Sequence, residues 1–441
     1  MKKILSILLI AALIIGCTSM SVSAESIDSI NSTGQNNSEN IIEEELFEEE
    51  KVQKFNSFMD GAEAVQEIVE SNSEMFSESI ENCVIVRTSS DIVFDTSNVV
   101  QAVRYNGIYY IQYTSVQNAQ EAIEAFQEYP TVEYAVADEE IVLDDIMEPV
   151  TEVSSSQDSN GYIHYSWGVI DTKADVFADY VSKCVGNQSV TVAVVDTGVD
   201  SSHPFLSGKI LSNGYDYYNN DANPMDDNGH GTHVAGTIVD CTQGLNVNIL
   251  PVKVLGANGR GTVSTVANGI YYAVNAGADV INLSLSAPEG SSSQIHIDFA
   301  VSEASNQNIS VVASSGNDYS DTAYYCPAHR SDVIVTAAID MQHNNMHGFN
   351  VRGEEYGSNY GTSVDVTAPG VDVISSVPYS INPMGYASYT GTSMAAPHIS
   401  AAVAMLKLLY PSAPANQIQS ILKSCASDLG VSGYDITYGE G

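Results

Sequence analysis

From about residue 161 onward, β-branched runs alternate with helical spacings. Ser189–Val195 is a β-branched run, the pattern of a parallel strand buried on both faces. Ile249–Leu255, Val280–Leu285, Ile309–Ala313 and Val333–Ile339 repeat it. Helical patterns lie between them, at His230–Cys241, Val263–Ala276, Ile297–Asn306 and Ser393–Tyr410. This alternation predicts an α/β domain over residues 161–441, with a doubly wound, mostly parallel sheet and helices on both faces. Chemistry on such sheets gathers at the carboxyl ends of strands. No internal repeat is found.

Upstream, residues 82–145 read as a small α+β unit. Cys83–Arg87 and Ile108–Tyr113 are strand candidates, rich in β-branched and aromatic residues. Ala119, Ile123 and Phe126 fall at helical spacing within Asn118–Glu128, and Pro130 ends that helix. Val132–Val142 returns to strand. The order strand, strand, helix, strand predicts a ferredoxin-like packing. Residues 146–160, with Ser154, Ser155, Ser156, Asp158 and Ser159, read as a linker open to proteolysis. Residues 25–81 form an acidic low-complexity segment that includes Glu43–Glu45 and Glu48–Glu50.

The first 24 residues have the form of a signal peptide: Met1-Lys2-Lys3, then an apolar run from Ile4 to Ile15. That run is shorter than the roughly 20 residues a membrane span needs. Val22-Ser23-Ala24 offers a cleavage site and free secretion, the reading adopted here. Ile14-Ile15-Gly16-Cys17 resembles a lipobox, the alternative in which Cys17 carries lipid and tethers the protein to the cell surface.

Charge narrows the partners. Lys and Arg total 15 against 55 Asp and Glu, a formal net charge of −40. Such a chain repels nucleic acid and anionic membranes. A membrane enters only through Cys17. Its 44% hydrophobic content suffices for a core. Cys184, Cys241, Cys326 and Cys425 allow three disulfide pairings, with free buried thiols an equal alternative. Their spacing matches no zinc pattern.

Three short segments carry the chemistry. Val194-Val195-Asp196-Thr197-Gly198 puts an Asp where a buried strand ends. His230-Gly231-Thr232-His233 opens a helix of small residues. Gly391-Thr392-Ser393-Met394-Ala395-Ala396-Pro397 puts a Ser at the start of an apolar helix, with Pro397 assigned to its first turn. A serine hydroxyl becomes a nucleophile when a base takes its proton, and histidine is the usual base. A carboxylate fixes the tautomer of that histidine and stabilises its charged form. Taken singly, Asp196 reads as a cap, Ser393 as an N-cap and His230 as structural. His233 stays structural, and His296 and His398 receive no role. Together and in this order the roles interlock.

At these residues the chain resembles the subtilisin-like (subtilase) serine endopeptidases over residues 161–441. The resemblance implies catalytic Asp196, His230 and Ser393, acting on protein or peptide substrates with no cofactor in the chemistry. Asn317, after Ala313-Ser314-Ser315-Gly316, would complete an oxyanion hole with the Ser393 N–H. Ser284-Leu285-Ser286 would pair with substrate as an edge strand, and Ser314, Ser315 and Gly316 would line the same cleft. The unit 82–145 resembles the family's propeptide, an inhibitor that assists folding. The implied self-cut lies within 146–160, and Trp167-Gly168 would open the mature enzyme.

Several positions depart from the family. Phe205 stands where many relatives place an Asp ligand of a strong calcium site, and the loop that completes the site is missing, so that site is expected to be lost. A second cluster, Asp216, Asn219, Asn220, Asp221, Asn223, Asp226, Asp227 and Asn228, is a candidate structural calcium loop or a set of ordinary turn residues. Tyr325 would make the primary specificity pocket shallow. Relatives continue past Tyr438–Gly441 into a terminal helix, so a fragment and an early end both stay open. Two rival readings are a silent binding protein on the same fold and a processing protease dedicated to one exported peptide.

Overall fold

The computed structural model describes residues 82–441 apart from 106, 144, 289–293 and 352–353. The expected signal peptide, the lipobox and the acidic segment 25–81 lie outside the described residues.

The small unit comes first. Strands β1 (Cys83–Thr88), β2 (Val99–Tyr105), β3 (Ile108–Tyr113) and β4 (Val132–Ala137) form an antiparallel sheet in the order β2-β3-β1-β4, with helix α1 (Val116–Gln127) between β3 and β4. The strand order is the one a ferredoxin-like packing requires, but a loop carrying buried Ile92 and Phe94 joins β1 to β2 where a second helix would run. The continuous apolar run of β1 has a physical explanation. Side chains of a strand alternate between faces. Val84 and Val86 pack under α1 with Phe94 and Phe126. Ile85, together with Ile108, Tyr110, Tyr134 and Val136, joins a core of the large domain. The expected strand Val132–Val142 is split: β4 ends at Ala137, and β5 (Glu140–Val142) belongs to another sheet.

The large domain is built on seven parallel strands. They are β7 (Val190–Asp196), β8 (Tyr215–Asp216), β9 (Val247–Lys253), β11 (Val280–Leu283), β12 (Ser310–Ser314), β13 (Val333–Ile339) and β14 (Val366–Pro369), in the order β8-β9-β7-β11-β12-β13-β14. Strand β10 (Arg260–Thr262) lies outside this sheet and pairs with β5. Val190, Val192 and Val194 of β7 face one core, shared with α2 (Ala174–Cys184), α3 (His230–Cys241), α6 (Thr392–Leu409) and α7 (Ala415–Cys425). Ala193 and Val195 face the other, beneath α4 (Val263–Asn275) and α5 (Gln294–Asn306). Helices therefore cover both faces. Among the described residues, α6 alone is long and apolar enough to cross a membrane, and it is a buried core helix.

Two further strands complete the frame: β15 (Val373–Ser376) and β16 (Tyr386–Thr390). Part of the expected linker is ordered against them. Strand β6 (Ile146–Pro149) pairs antiparallel with β16, Ile146 opposite Thr390 and Pro149 opposite Ala387. Trp167 opens a short helix, Trp167–Asp171, capped by Ser166 Oγ. The described cysteines, Cys83, Cys184, Cys241, Cys326 and Cys425, form no disulfide.

The small unit docks on α4 and α5 through polar contacts at the edge of that shared core. Tyr110 donates its hydroxyl hydrogen to Asn268 Oδ1 at 2.6 Å, so it accepts from His296 Nε2 at 3.1 Å. His296 Nδ1 then accepts from the Tyr134 hydroxyl at 2.6 Å. This ring is neutral: burial lowers its pKa to about 3, helped by nearby Arg87. Asp138, the residue that breaks the expected strand, accepts from Ser264 N at 3.0 Å and Ser264 Oγ at 2.5 Å. It thereby satisfies donors at the start of α4. Burial raises the Asp138 carboxyl to about 6 against these hydrogen bonds.

Candidate functional site

Asp196 is the last residue of β7 and is buried. Its Oδ1 accepts from Thr197 N at 2.7 Å and lies 2.8 Å from His230 Nδ1. His230 is the first residue of α3, after Gly229 in a left-handed conformation (φ 109°). The next residue must be glycine, because a Cβ on Gly231 would sit 2.1 Å from the Gly198 carbonyl oxygen. That close approach sets the His230 ring against Asp196. Burial opposes a charge on His230, yet the Asp196 and Asp145 carboxylates outweigh it and hold its pKa well above the usual histidine range. His233, one turn on, is different. Its Nε2 lies 2.9 Å from the Val373 carbonyl, its ring stacks on Tyr389, and burial with nearby His230 lowers it to about 3.

Ser393 is the second residue of α6, where backbone N–H groups lack helical partners and the helix dipole favours negative charge. Pro397 lies beyond the first turn, a correction to the sequence expectation. With no N–H at Pro397, the Ser393 carbonyl loses its i+4 donor. Ser284 Oγ replaces it, donating to Ser393 O at 2.8 Å, and itself accepts from Asn282 Nδ2 at 2.9 Å. In return, Ser393 Oγ donates to the Ser284 carbonyl at 3.2 Å.

Asn317 follows β12. Its Oδ1 accepts from Thr392 N and Thr392 Oγ1, each at 2.9 Å, which turns its Nδ2 toward the cleft. Gly316 (φ 97°) makes this turn, and a Cβ there would fall 2.3 Å from Asn359 Nδ2. Ser314 and Ser315 are buried, and Ser315 N donates to Thr336 O at 3.0 Å. Leu285 is buried and Ser286 partly so. An edge that does receive an added strand is β10: Arg260 faces Val142 and Thr262 faces Glu140, and Leu143 N donates to Gly259 O at 2.9 Å. Nothing in the composition of Gly259–Thr262 marks that role.

Sequence reasoning also missed Asp145. One of its carboxylate oxygens accepts from Asn317 Nδ2 at 3.1 Å, and the other lies 3.1 Å from His230 Nε2. A Cβ on Gly391 would sit 1.8 Å from that carboxylate. One buried side chain thus touches the groups on α3, after β12 and before α6, and reports that they converge. A carboxylate, an imidazole and a helix-start hydroxyl in one cleft, with an amide donor beside them, can carry out acyl transfer through a covalent ester.

The candidate calcium loop does not fit a cation. Asp216 accepts from Tyr218 N, Asn219 N and Asn219 Nδ2. Asp226 accepts from Thr197 Oγ1, Asn228 N, Gly229 N, Thr232 N and Thr232 Oγ1. Asp227 pairs with buried Lys253 at 2.7 Å. A cation would have to displace these hydrogens. Phe205 packs edge-on to Tyr165, in a cluster with Tyr386. Tyr325 is buried, and burial followed by the Asp318 carboxylate raises its hydroxyl to about 12.

Known proteins agree with this architecture. The chain is 38% identical over 301 residues to the thermophilic serine proteinase of Bacillus sp. (strain AK1), covering 66% of this chain and 67% of that protein. It is 38% identical over 271 residues to subtilisin BL of Lederbergia lenta, covering 60% of this chain and 92% of the relative. Among solved structures, a lanthipeptide protease superposes with a TM-score of 0.54 at 26% identity, covering 63% of this chain and 92% of that one. The subtilase family model matches residues 187–441. That match takes in the central sheet, Asp196, His230, Asn317 and Ser393, and the chain belongs to the subtilase family of serine endopeptidases.

Proposed function

We propose that the protein is a secreted serine endopeptidase, made as a self-processing zymogen, in which Ser393 is the nucleophile, His230 the base and Asp196 the residue that orients His230. The observation that carries the assignment is the 2.8 Å contact of His230 Nδ1 with buried Asp196, in a cleft that also holds Ser393 and Asn317. With His230 neutral at Nε2, Ser393 Oγ attacks the peptide carbonyl carbon and its proton passes to Nε2. The tetrahedral oxygen anion accepts from Asn317 Nδ2 and Ser393 N. His230 then protonates the leaving amine, and water hydrolyses the ester by the same path in reverse.

The small unit 82–145 acts as the inhibitory propeptide. Its β5 pairs with β10, and the chain continues past Asp145 into β6 against β16, so one segment runs through the cleft as a substrate would. The amino-terminal pattern supports secretion, with lipid tethering through Cys17 the alternative. A second reading, processing of one exported peptide, is favoured by the likeness to a lanthipeptide protease. Hydrolysis of a random peptide library by the purified chain separates the two: many cleaved sequences support a broad endopeptidase, a single motif the processing role. Hydrolysis that continues at the wild-type rate in Ser393→Ala refutes both.

A further inference from the structure

We propose that Asp145 is a built-in inhibitor: its carboxylate stands where a substrate carbonyl oxygen would bind and faces His230 on the side that must serve Ser393. This rests on the zymogen reading above and deepens it. The strap from Glu140 to Pro149 is fastened on both sides of the cleft. Before it, β5 pairs with β10 and Leu143 N donates to Gly259 O; after it, β6 pairs with β16 and Val150 O accepts from Asn382 Nδ2 at 3.0 Å. Leu143 and Ile146 are three residues apart, a reach of about 10 Å at full extension. Asp145 is therefore confined to the catalytic cleft between them.

Within that confinement, one side chain disables two requirements of acyl transfer, and the nucleophile itself is turned away by a separate contact. Asn317 Nδ2, the amide meant for the oxyanion, donates to Asp145 instead. His230 Nε2 faces Asp145 Oδ2 at 3.1 Å while Nδ1 faces Asp196, so the ring lies between two carboxylates, which favours the form bearing both protons. An imidazolium cannot accept the Ser393 proton. Ser393 Oγ donates to the Ser284 carbonyl. Of the other groups at hand, Tyr356 donates its hydroxyl hydrogen to Thr390 O, and the Asp226 carboxylate accepts from Thr232 N and Thr232 Oγ1 of α3. The Asp145 and His230 side chains are fully buried, so solvent does not screen the pair. Room for the carboxylate exists because residue 391 is glycine.

The test uses the full chain, with Asp145→Asn as an isosteric neutral replacement. Freshly refolded protein is followed by intact mass and by labelling of Ser393 with a small fluorophosphonate. On this proposal the first cut falls where the strap crosses the cleft, between Leu143 and Ile146, rather than within 146–160 as the resemblance implied. Both self-cleavage and labelling of uncut chain are expected to run at least about tenfold faster in Asp145→Asn, because each unit by which the His230 pKa falls raises its neutral fraction tenfold. Equal or slower rates overturn the proposal. Should Asp145→Asn fold poorly, the same question is put to Ser393→Ala, which stays uncut, with and without Asp145→Glu, by NMR titration of His230. A longer acid that cannot keep both contacts is expected to lower the midpoint, and an unchanged midpoint overturns the lock. If cut wild type is active while the Asp145 variants match wild-type precursor, only the lock fails. If no form, cut or uncut, is labelled at Ser393, the assignment of the nucleophile fails and the lock with it.

Discussion

The docking of the small unit carries two buried titratable groups of opposite effect, and this yields a quantitative prediction. Asp138 is held at about 6 in the docked state, against an ordinary value of 3.8. Its pKa is raised, so the docked state binds a proton more tightly, and docking strengthens as pH falls through 6. Between pH 7.5 and 5 this amounts to about tenfold in the docking equilibrium, or about 1.4 kcal/mol. His296 works the other way. It is held at about 3 when docked, against 6.5 when free. Its contribution is complete above 6.5 and is lost as pH falls, by about 30-fold or about 2 kcal/mol at pH 5. In the wild type the two partly cancel, leaving docking about threefold weaker at pH 5 than at pH 7.5. Asp138→Asn removes the first and leaves the second, so its docking becomes acid-labile. The assay is hydrogen-exchange protection of segment 83–142 in the uncut Ser393→Ala chain, at pH 7.5 and pH 5, with and without Asp138→Asn. All other titrating groups, including the His230–Asp145 pair, are common to both chains and drop out of the difference. The expected double difference is about 1.4 kcal/mol. A double difference near zero, or of opposite sign, refutes the reasoning about Asp138.

Three further outcomes follow from the site. Ser284→Ala leaves the Ser393 carbonyl without a donor in a buried place, which costs about 1–3 kcal/mol of stability by chemical denaturation; an unchanged midpoint would show that Pro397 creates no such need. Asn317→Ala is expected to lower kcat by roughly 10²–10³ with little change in KM, the magnitude known for the corresponding donor in a subtilisin; a loss confined to KM would remove Asn317 from the oxyanion. The carboxylates of Asp216, Asp226 and Asp227 are already engaged by hydrogen bonds and by Lys253, so the Tm in EDTA should equal that in added calcium; a fall of several degrees in EDTA would mean a calcium site that these residues do not describe.

Much of the large domain is legible because its strands are buried on both faces and its site residues sit at strand and helix ends. Helix α3 spans the expected His230–Cys241, and β13 the expected Val333–Ile339. Elements with weaker patterns escape. In β2, Gln101 and Arg104 interrupt the apolar positions. Helix α2 starts after Lys173, which has a left-handed conformation and offers no side-chain cap, so no start signal precedes it. Val132–Val142 reads as one strand because its hydrophobic period runs on through Asp138, and only the docking of α4 explains the break. The docking residues themselves, Tyr110, Tyr134 and His296, are ordinary in sequence, since their partners lie more than 150 positions away. Asp145 is one acidic residue among 55 and acquires meaning only from the strands that hold it in the cleft.

The most direct test of the whole account compares purified wild type with Ser393→Ala for peptide hydrolysis and for the amino terminus of the mature chain. The account predicts hydrolysis and a self-made cut in the wild type, and neither in Ser393→Ala. Undiminished hydrolysis by Ser393→Ala, or the same cut appearing in both purified chains, would contradict it.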